Sequence, residues 1–313
     1  MITAVSFNNI IPVVKRQTNC TIPRLPQYSN GLNCDTISFT SKTLPYKSSK
    51  EITKVVKNAI KEPENFIGKG GEGEVYKIPD TDYCVKILYY SNLKKIGEWT
   101  NEISSADKVN HVVAKSENGT TIMKYIEGEP LSWQFKPDEV YSLPDKSFKD
   151  LANQITEARD EEMIFDNAAS NIIFNHKTQS LTAIDFYPPE ADDNYICRPL
   201  TMIYSALKPH AGQERDIKMD KKLGNKLLNI VLDEVSPNKQ PDIEISPNDI
   251  NTLLYKIYQD SKFARVPQYK FLIKSMNKIF ELKEAEEIGV DVEKELNGQI
   301  KYSRCIVNQV FSE

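Results

Sequence analysis

The sequence predicts an α+β protein of bilobal form, with a small β-rich lobe holding one helix and then a larger helical lobe. Three observations carry this. Between Phe66 and Tyr125, short β-branched and aromatic runs alternate with turn residues, the pattern of a meandering sheet. From Pro130 onward the apolar residues recur at helical spacing instead. Beyond Arg198 helical stretches follow one another, punctuated by Pro237, Pro241, Pro247 and Pro267. The boundaries read as a polar leader over 1–50, a small lobe over 51–126 and a large lobe over 127–313.

The leader is rich in Ser, Thr, Asn and Pro and shows no sustained period, which predicts a flexible segment with at most a short strand near Ile2–Val14. Lys50–Ile60 carries Ile52, Val55, Val56 and Ile60 near helical spacing, so a short helix should precede the sheet. Strands are then expected at Phe66–Ile67, Val75–Ile78 and Tyr83–Leu88. Asn92 to Lys108 reads as a helix, with Ile96, Trp99, Ile103 and Ala106 on one face. Val112–Lys115 and Thr120–Tyr125 read as two more strands joined by the turn Glu117-Asn118-Gly119. In the larger lobe, Ser147–Met163 predicts an amphipathic helix through Phe148, Leu151, Ile155 and Ala158. Asn171–Phe174 and Leu181–Ile184 form an apolar strand pair about His176–Ser180. Helices are expected at 213–235, 247–261, 267–285 and 289–310.

At 313 residues the chain is long enough to bury a full core. Its hydrophobic share of 40% and charged share of 27% are those of an ordinary globular protein. The net charge is −4, yet residues 1–60 carry eight Lys and Arg against only Asp35 and Glu51, so the acidic excess lies in the body. An acidic body argues against nucleic acid as a partner. No apolar run approaches the ~20 residues that span a bilayer, and no cleavable secretory signal opens the chain. Five scattered cysteines without a C-x-x-C pair read as reduced thiols, and three scattered histidines speak against a metal cluster.

The residues that carry chemistry begin at Ile67-Gly68-Lys69-Gly70-Gly71-Glu72-Gly73-Glu74-Val75-Tyr76. A G-x-G-x-x-G run alone is ambiguous, because dinucleotide folds use the same spacing. Those folds open a helix at the loop. Here Val75 and Tyr76 follow, then the strand Tyr83-Cys84-Val85-Lys86-Ile87-Leu88. A glycine hairpin followed by a strand bearing one lysine is a nucleotide clamp: Gly68, Gly70 and Gly73 let backbone N–H groups approach phosphate, and Lys86 reaches the α/β-phosphates. The acid that holds Lys86 is expected on the following helix, with Glu102 preferred and Glu98, one turn away, as alternate. Farther on, Asp166 precedes Asn171 by five residues, and an apolar strand follows. That is the D-x-x-x-x-N spacing of a catalytic base and a metal ligand. Ala183-Ile184-Asp185-Phe186 then supplies a second metal ligand, Asp185, after another apolar strand.

In this order and spacing the chain resembles a protein kinase from about Glu64 to Phe186. More narrowly, the glycine loop and an Asp185-Phe186 pair without a following glycine are similar to the compact effector kinases injected by type III secretion systems of enteric bacteria (the OspG/NleH type). The resemblance implies ATP and Mg²⁺, with Asp166 as catalytic base, Lys86 and Glu102 as the lysine–acid pair, and Asn171 and Asp185 as metal ligands. It also implies Val75 beside the nucleotide, Met123 as gatekeeper and Lys124, Tyr125 and Ile126 as the hinge that receives adenine. It suggests secretion into a host cell, a leader that serves as an uncleaved export signal, and a host protein as substrate or activator, the ubiquitin-conjugating machinery among them. The chain departs from the pattern where Ile164-Phe165 replace the His-Arg before the catalytic Asp, and where Ala168 replaces a common Lys. It departs again at Ser170, where tyrosine kinases place Arg, and at Tyr187-Pro188-Pro189, where a long activation segment normally begins. Ser/Thr chemistry is favoured over Tyr, without dependence on loop phosphorylation. Two alternatives stay open: a kinase-fold adaptor with little activity, and a small-molecule phosphotransferase of the aminoglycoside/choline kinase type.

Overall fold

The computed structural model describes residues 48–91, 98–131, 135–189, 198–208, 217–260 and 267–311. The leader expected over 1–50 lies almost wholly outside them, as do Asn92–Gly97, most of the expected first half of a helix, and Glu190–Cys197, which follow the Asp-Phe pair.

The described residues are mixed α and β, consistent with the α+β expectation. The chain enters through α1 (Ser49–Lys61), whose N-terminus is capped by the Ser48 hydroxyl accepting from the Glu51 N–H. Then follow β1 (Phe66–Lys69), β2 (Gly73–Lys77), β3 (Tyr83–Leu88), β4 (Trp99–Thr100), α2 (Ser105–Val109), β5 (Val112–Ser116) and β6 (Thr121–Lys124). These strands form one antiparallel six-stranded sheet in the order β1-β2-β3-β6-β5-β4.

Side-chain alternation on β3 explains what the sheet does. Val85 and Ile87 point to one face, where Ile122 and Ala114 of the neighbouring strands meet Ile52, Val56 and Ala59 of α1 in a small buried core. Cys84 and Lys86 therefore point to the opposite face. Their cross-strand partners are Met123 for Cys84 and Val75 for Lys86, and directly opposed residues share a face. One face of the sheet is filled by α1, and the other presents Val75, Lys86, Cys84 and Met123. The Trp99 side chain fastens α1 to the far sheet edge by donating from Nε1 to Thr53 Oγ1 at 3.0 Å.

A second, larger core begins at Leu131 and runs to Phe311. After the exposed β7 (Glu129–Pro130), it is built by α3 (Pro137–Tyr141), α4 (Asp145–Asp160), β8 (Ile164–Phe165), β9 (Ile172–Asn175), β10 (Ser180–Ala183), β11 (Phe186–Tyr187), α5 (Pro199–Leu207), α6 (Ile217–Glu234), α7 (Pro247–Asp260), α8 (Pro267–Glu287) and α9 (Glu293–Phe311). Strands β10, β9 and β7 form a small antiparallel sheet, and β11 pairs with β8. Among the described residues, no helix is long and apolar enough to cross a membrane.

The helix expected over 92–108 is corrected in its described part. Trp99 and Thr100 are an edge strand, paired with Ser116 and Lys115, and helix is confined to Ser105–Val109. The sequence marked that start: Ser104 and Asp107 make a reciprocal capping box.

Candidate active site

Two short ladders bring the predicted carboxylates together. In the β8–β11 pair Phe165 lies opposite Phe186, so the next antiparallel step sets Asp166 opposite Asp185. In the β9–β10 pair Ile172 lies opposite Ala183, so the same logic sets Asn171 opposite Ile184. Hydrogen bonds continue both ladders: the Ile184 N–H donates to the Asn171 carbonyl at 2.8 Å, and the Asp166 N–H reaches the Asp185 carbonyl at 3.5 Å. The Ile184–Asp185 step is thus held between both ends of the Asp166–Asn171 loop.

That loop is folded tightly. The Ala168 N–H donates to the Asp166 carbonyl at 2.7 Å, and the Asn171 N–H to the Ala168 carbonyl at 3.0 Å. The Asn171 amide closes it by donating from Nδ2 to Asp166 Oδ2 at 2.9 Å and to the Asp166 carbonyl at 3.1 Å. Just before it, Ile164 and Phe165 are buried, and the Phe165 ring lies 5.6 Å from that of Phe186. The two positions just before Asp166 are thus both spent on packing.

Lys86 reaches the same place from the sheet. Its Nζ lies 3.7 Å from Asp185 Oδ1 and 3.5 Å from Glu72 Oε2 in the glycine loop. Asp185 itself has φ of 65°, a left-handed backbone unusual outside glycine and enriched at functional sites. The acid expected to hold Lys86 is elsewhere. Glu102 is exposed on an irregular link, its N–H bonded to Thr100 Oγ1 at 3.1 Å, and Glu98 is exposed as well. Among the described residues the ion pairs of Lys86 are those to Glu72 and Asp185.

The three loop glycines differ. A Cβ on Gly73 would stand 2.2 Å from the Ile87 carbonyl oxygen, so close packing of β2 on β3 demands glycine there. At Gly68 and Gly70 a Cβ would meet nothing within 4 Å. Open space, not packing, surrounds those two positions. The Gly70 N–H is used within the hairpin, donating to the Gly73 carbonyl at 2.9 Å.

Val75, Met123, Lys124, Tyr125 and Ile126 are all half-buried, with Val75 and Met123 on the Lys86 face. Tyr125 is tied by its N–H to the Asp82 carbonyl at 2.8 Å, and Lys77 Nζ sits 4.4 Å over its ring. Cys84, next to Met123, is buried, and that burial pushes its thiol up to about 12. Gly128, which sequence reasoning missed, has φ of 138°, and a Cβ there would lie 2.5 Å from the Phe174 carbonyl oxygen.

Among the described residues no group of three or more His, Cys, Asp or Glu is placed to hold a metal. The pair Asn171–Asp185 offers one amide oxygen and one carboxylate that is 56% exposed. Hard oxygens few in number suit Mg²⁺, which keeps waters and takes its remaining ligands from substrate phosphates.

Sequence reasoning also missed Asn110 and His111, which follow α2. The Asn110 amide pairs with the Phe186 backbone in both directions. Burial, joined by the charge of Lys124, holds the His111 imidazole below its usual range, against a hydrogen bond with the Ala183 backbone. Neither residue lies in a local pattern that announces it. Comparison with family models and with curated proteins finds no match for this chain.

Proposed function

We propose that the chain is an ATP- and Mg²⁺-dependent protein kinase. On this reading 51–126 is a nucleotide-binding lobe and 127–313 a catalytic lobe, with the cleft on the Lys86 face of the sheet. The observation that supports it is the contact series Glu72–Lys86–Asp185 and Asn171–Asp166, which joins four separately expected residues in one open site.

Each residue has a role in this reading. Bound Mg·ATP supplies an activated γ-phosphoryl group whose charge the metal offsets. Lys86 neutralises the α/β-phosphates, while Asp185 and the Asn171 side-chain oxygen hold the metal. Asp166 accepts the proton of the acceptor hydroxyl as its oxygen bonds to the γ-phosphorus, the bridging P–O bond breaks and ADP leaves. The Asn171 amide hydrogen bond fixes the Asp166 rotamer for that task. Gly68 and Gly70, with open space above them, let the loop close on phosphate. The acceptor we favour is Ser or Thr on a host-cell protein or on the chain itself, after export guided by the leader.

A kinase-fold adaptor is the second reading, and one observation favours it: among the described residues Lys86 pairs with no helix-borne acid and is instead engaged by Glu72. Transfer of labelled γ-phosphate, measured for wild type beside Asp166→Asn, separates the two. A kinase labels itself or a generic protein acceptor and loses that with Asp166→Asn. An adaptor labels nothing in either form while still binding ATP.

A further inference from the structure

The left-handed Asp185 backbone needs something to hold it, and the residue in contact is one that no motif includes. The Asn110 Nδ2 donates to the Phe186 carbonyl at 2.8 Å, and the Phe186 N–H donates to Asn110 Oδ1 at 2.8 Å. This two-point pairing joins positions 76 residues apart in sequence. A side-chain amide carries a donor and an acceptor side by side, so it can accept from the N–H and donate to the C=O of one residue at once.

The clamp has a firm base. Asn110 caps the C-terminus of α2, and Ala106 and Val109 of that helix pack against the larger core. Its Nδ2 also reaches back to the Ala106 carbonyl at 3.4 Å. Across the segment, Asn171 holds Ile184 and the Asp166 N–H faces the Asp185 carbonyl. Ile184, Asp185 and Phe186 are thus gripped by the Asp166–Asn171 loop on one flank and by Asn110 on the other. A residue at φ of 65° persists when its neighbours over-determine it, and Phe186 is the neighbour that Asn110 fixes.

We infer that Asn110 is the positioning residue for Asp185, setting the carboxylate for Mg²⁺ through the Phe186 backbone. This rests on the phosphotransferase reading above. Asn110 itself touches no reacting atom, so its loss should weaken the response to metal more than nucleotide contact as such. Groups that orient a metal ligand from behind typically change metal affinity by about 10- to 100-fold when removed.

The test uses the full chain, Asn110→Ala and Asn110→Asp, with two readouts. The first is amide hydrogen exchange at Phe186 without nucleotide. Exchange should accelerate in Asn110→Ala and stay slow in Asn110→Asp, which keeps the acceptor. The second is the Mg²⁺ concentration that half-saturates the ATP-induced rise in melting temperature. It should increase about tenfold in Asn110→Ala, with ATP affinity in EDTA unchanged. Wild-type Mg²⁺ dependence in Asn110→Ala, where wild type responds normally, overturns the positioning role alone. A wild type with no Mg²⁺-dependent response to ATP overturns both the role and the kinase reading beneath it.

Discussion

Phe165 lies directly opposite Phe186, their ring centroids 5.6 Å apart, and this register sets Asp166 against Asp185. Phe165 is 1% exposed, so Phe165→Ala should leave a cavity and lower stability by about 3–4 kcal/mol. Urea denaturation checks that figure. Phe165→Leu keeps most of the volume and should lose less than half as much.

The glycine loop separates a packed position from two open ones. Gly73→Ala drives a methyl into the Ile87 carbonyl and should cost about 1–3 kcal/mol in thermal or urea unfolding. Gly68→Ala and Gly70→Ala meet no neighbour, so their stability should stay within about 0.5 kcal/mol of wild type. If these positions face phosphate, their ATP affinity should nevertheless fall. A Gly68→Ala protein that binds ATP as wild type does would remove the loop from the site.

Glu72 pairs with Lys86, and on the proposed reading it must yield to phosphate. It is 76% exposed, so the pair is weak, and Glu72→Gln should tighten ATP binding only about two- to fivefold in calorimetry. Glu102→Gln and Glu98→Gln, which make no ion pair with Lys86, should leave ATP affinity unchanged. Loss of binding in Glu102→Gln would restore the helix-borne partner.

Acid should weaken the larger core through Glu234. This carboxylate is fully buried, 2.5 Å from Lys149 and 2.6 Å from Lys239. Burial pushes it up, but those ammonium groups and the Asp242 N–H outweigh burial and hold it below its ordinary 4.5. A depressed folded pKa contributes stability above about pH 4.5 that is lost as pH falls through the folded value. Unfolding free energies from urea melts should therefore fall more between pH 6 and pH 3 for wild type than for Glu234→Gln. At pH 7 the substitution should cost about 3 kcal/mol, since it leaves two lysines facing a neutral group.

Legibility in the sequence followed the length and self-sufficiency of each signal. Strand β3 falls on Tyr83–Leu88 because its apolar run, broken only by Lys86, is complete within the strand, and α7 and α8 start where Pro247 and Pro267 fix their first turns. The 92–108 stretch misled because Trp99, Ile103 and Ala106 mimic a helical face. Edge pairing to β5 took Trp99 and Thr100, while the Ser104 and Asp107 box announced a shorter helix. The two-residue ladders β8 and β11 carry no readable period, although Asp166, Asn171 and Asp185 were legible from spacing. What brings those three together depends on register, and what backs them, Asn110, depends on a contact 76 residues away.

The most direct test of the central claim is the intact mass of the purified protein after incubation with Mg·ATP, beside Lys86→Ala and Asp185→Ala. Phosphate should add to wild type alone, with all three proteins melting within a few degrees of one another. Equal phosphate on wild type and either variant, or none on wild type even with a generic Ser/Thr acceptor present and likewise unmodified, would contradict a kinase built on these residues.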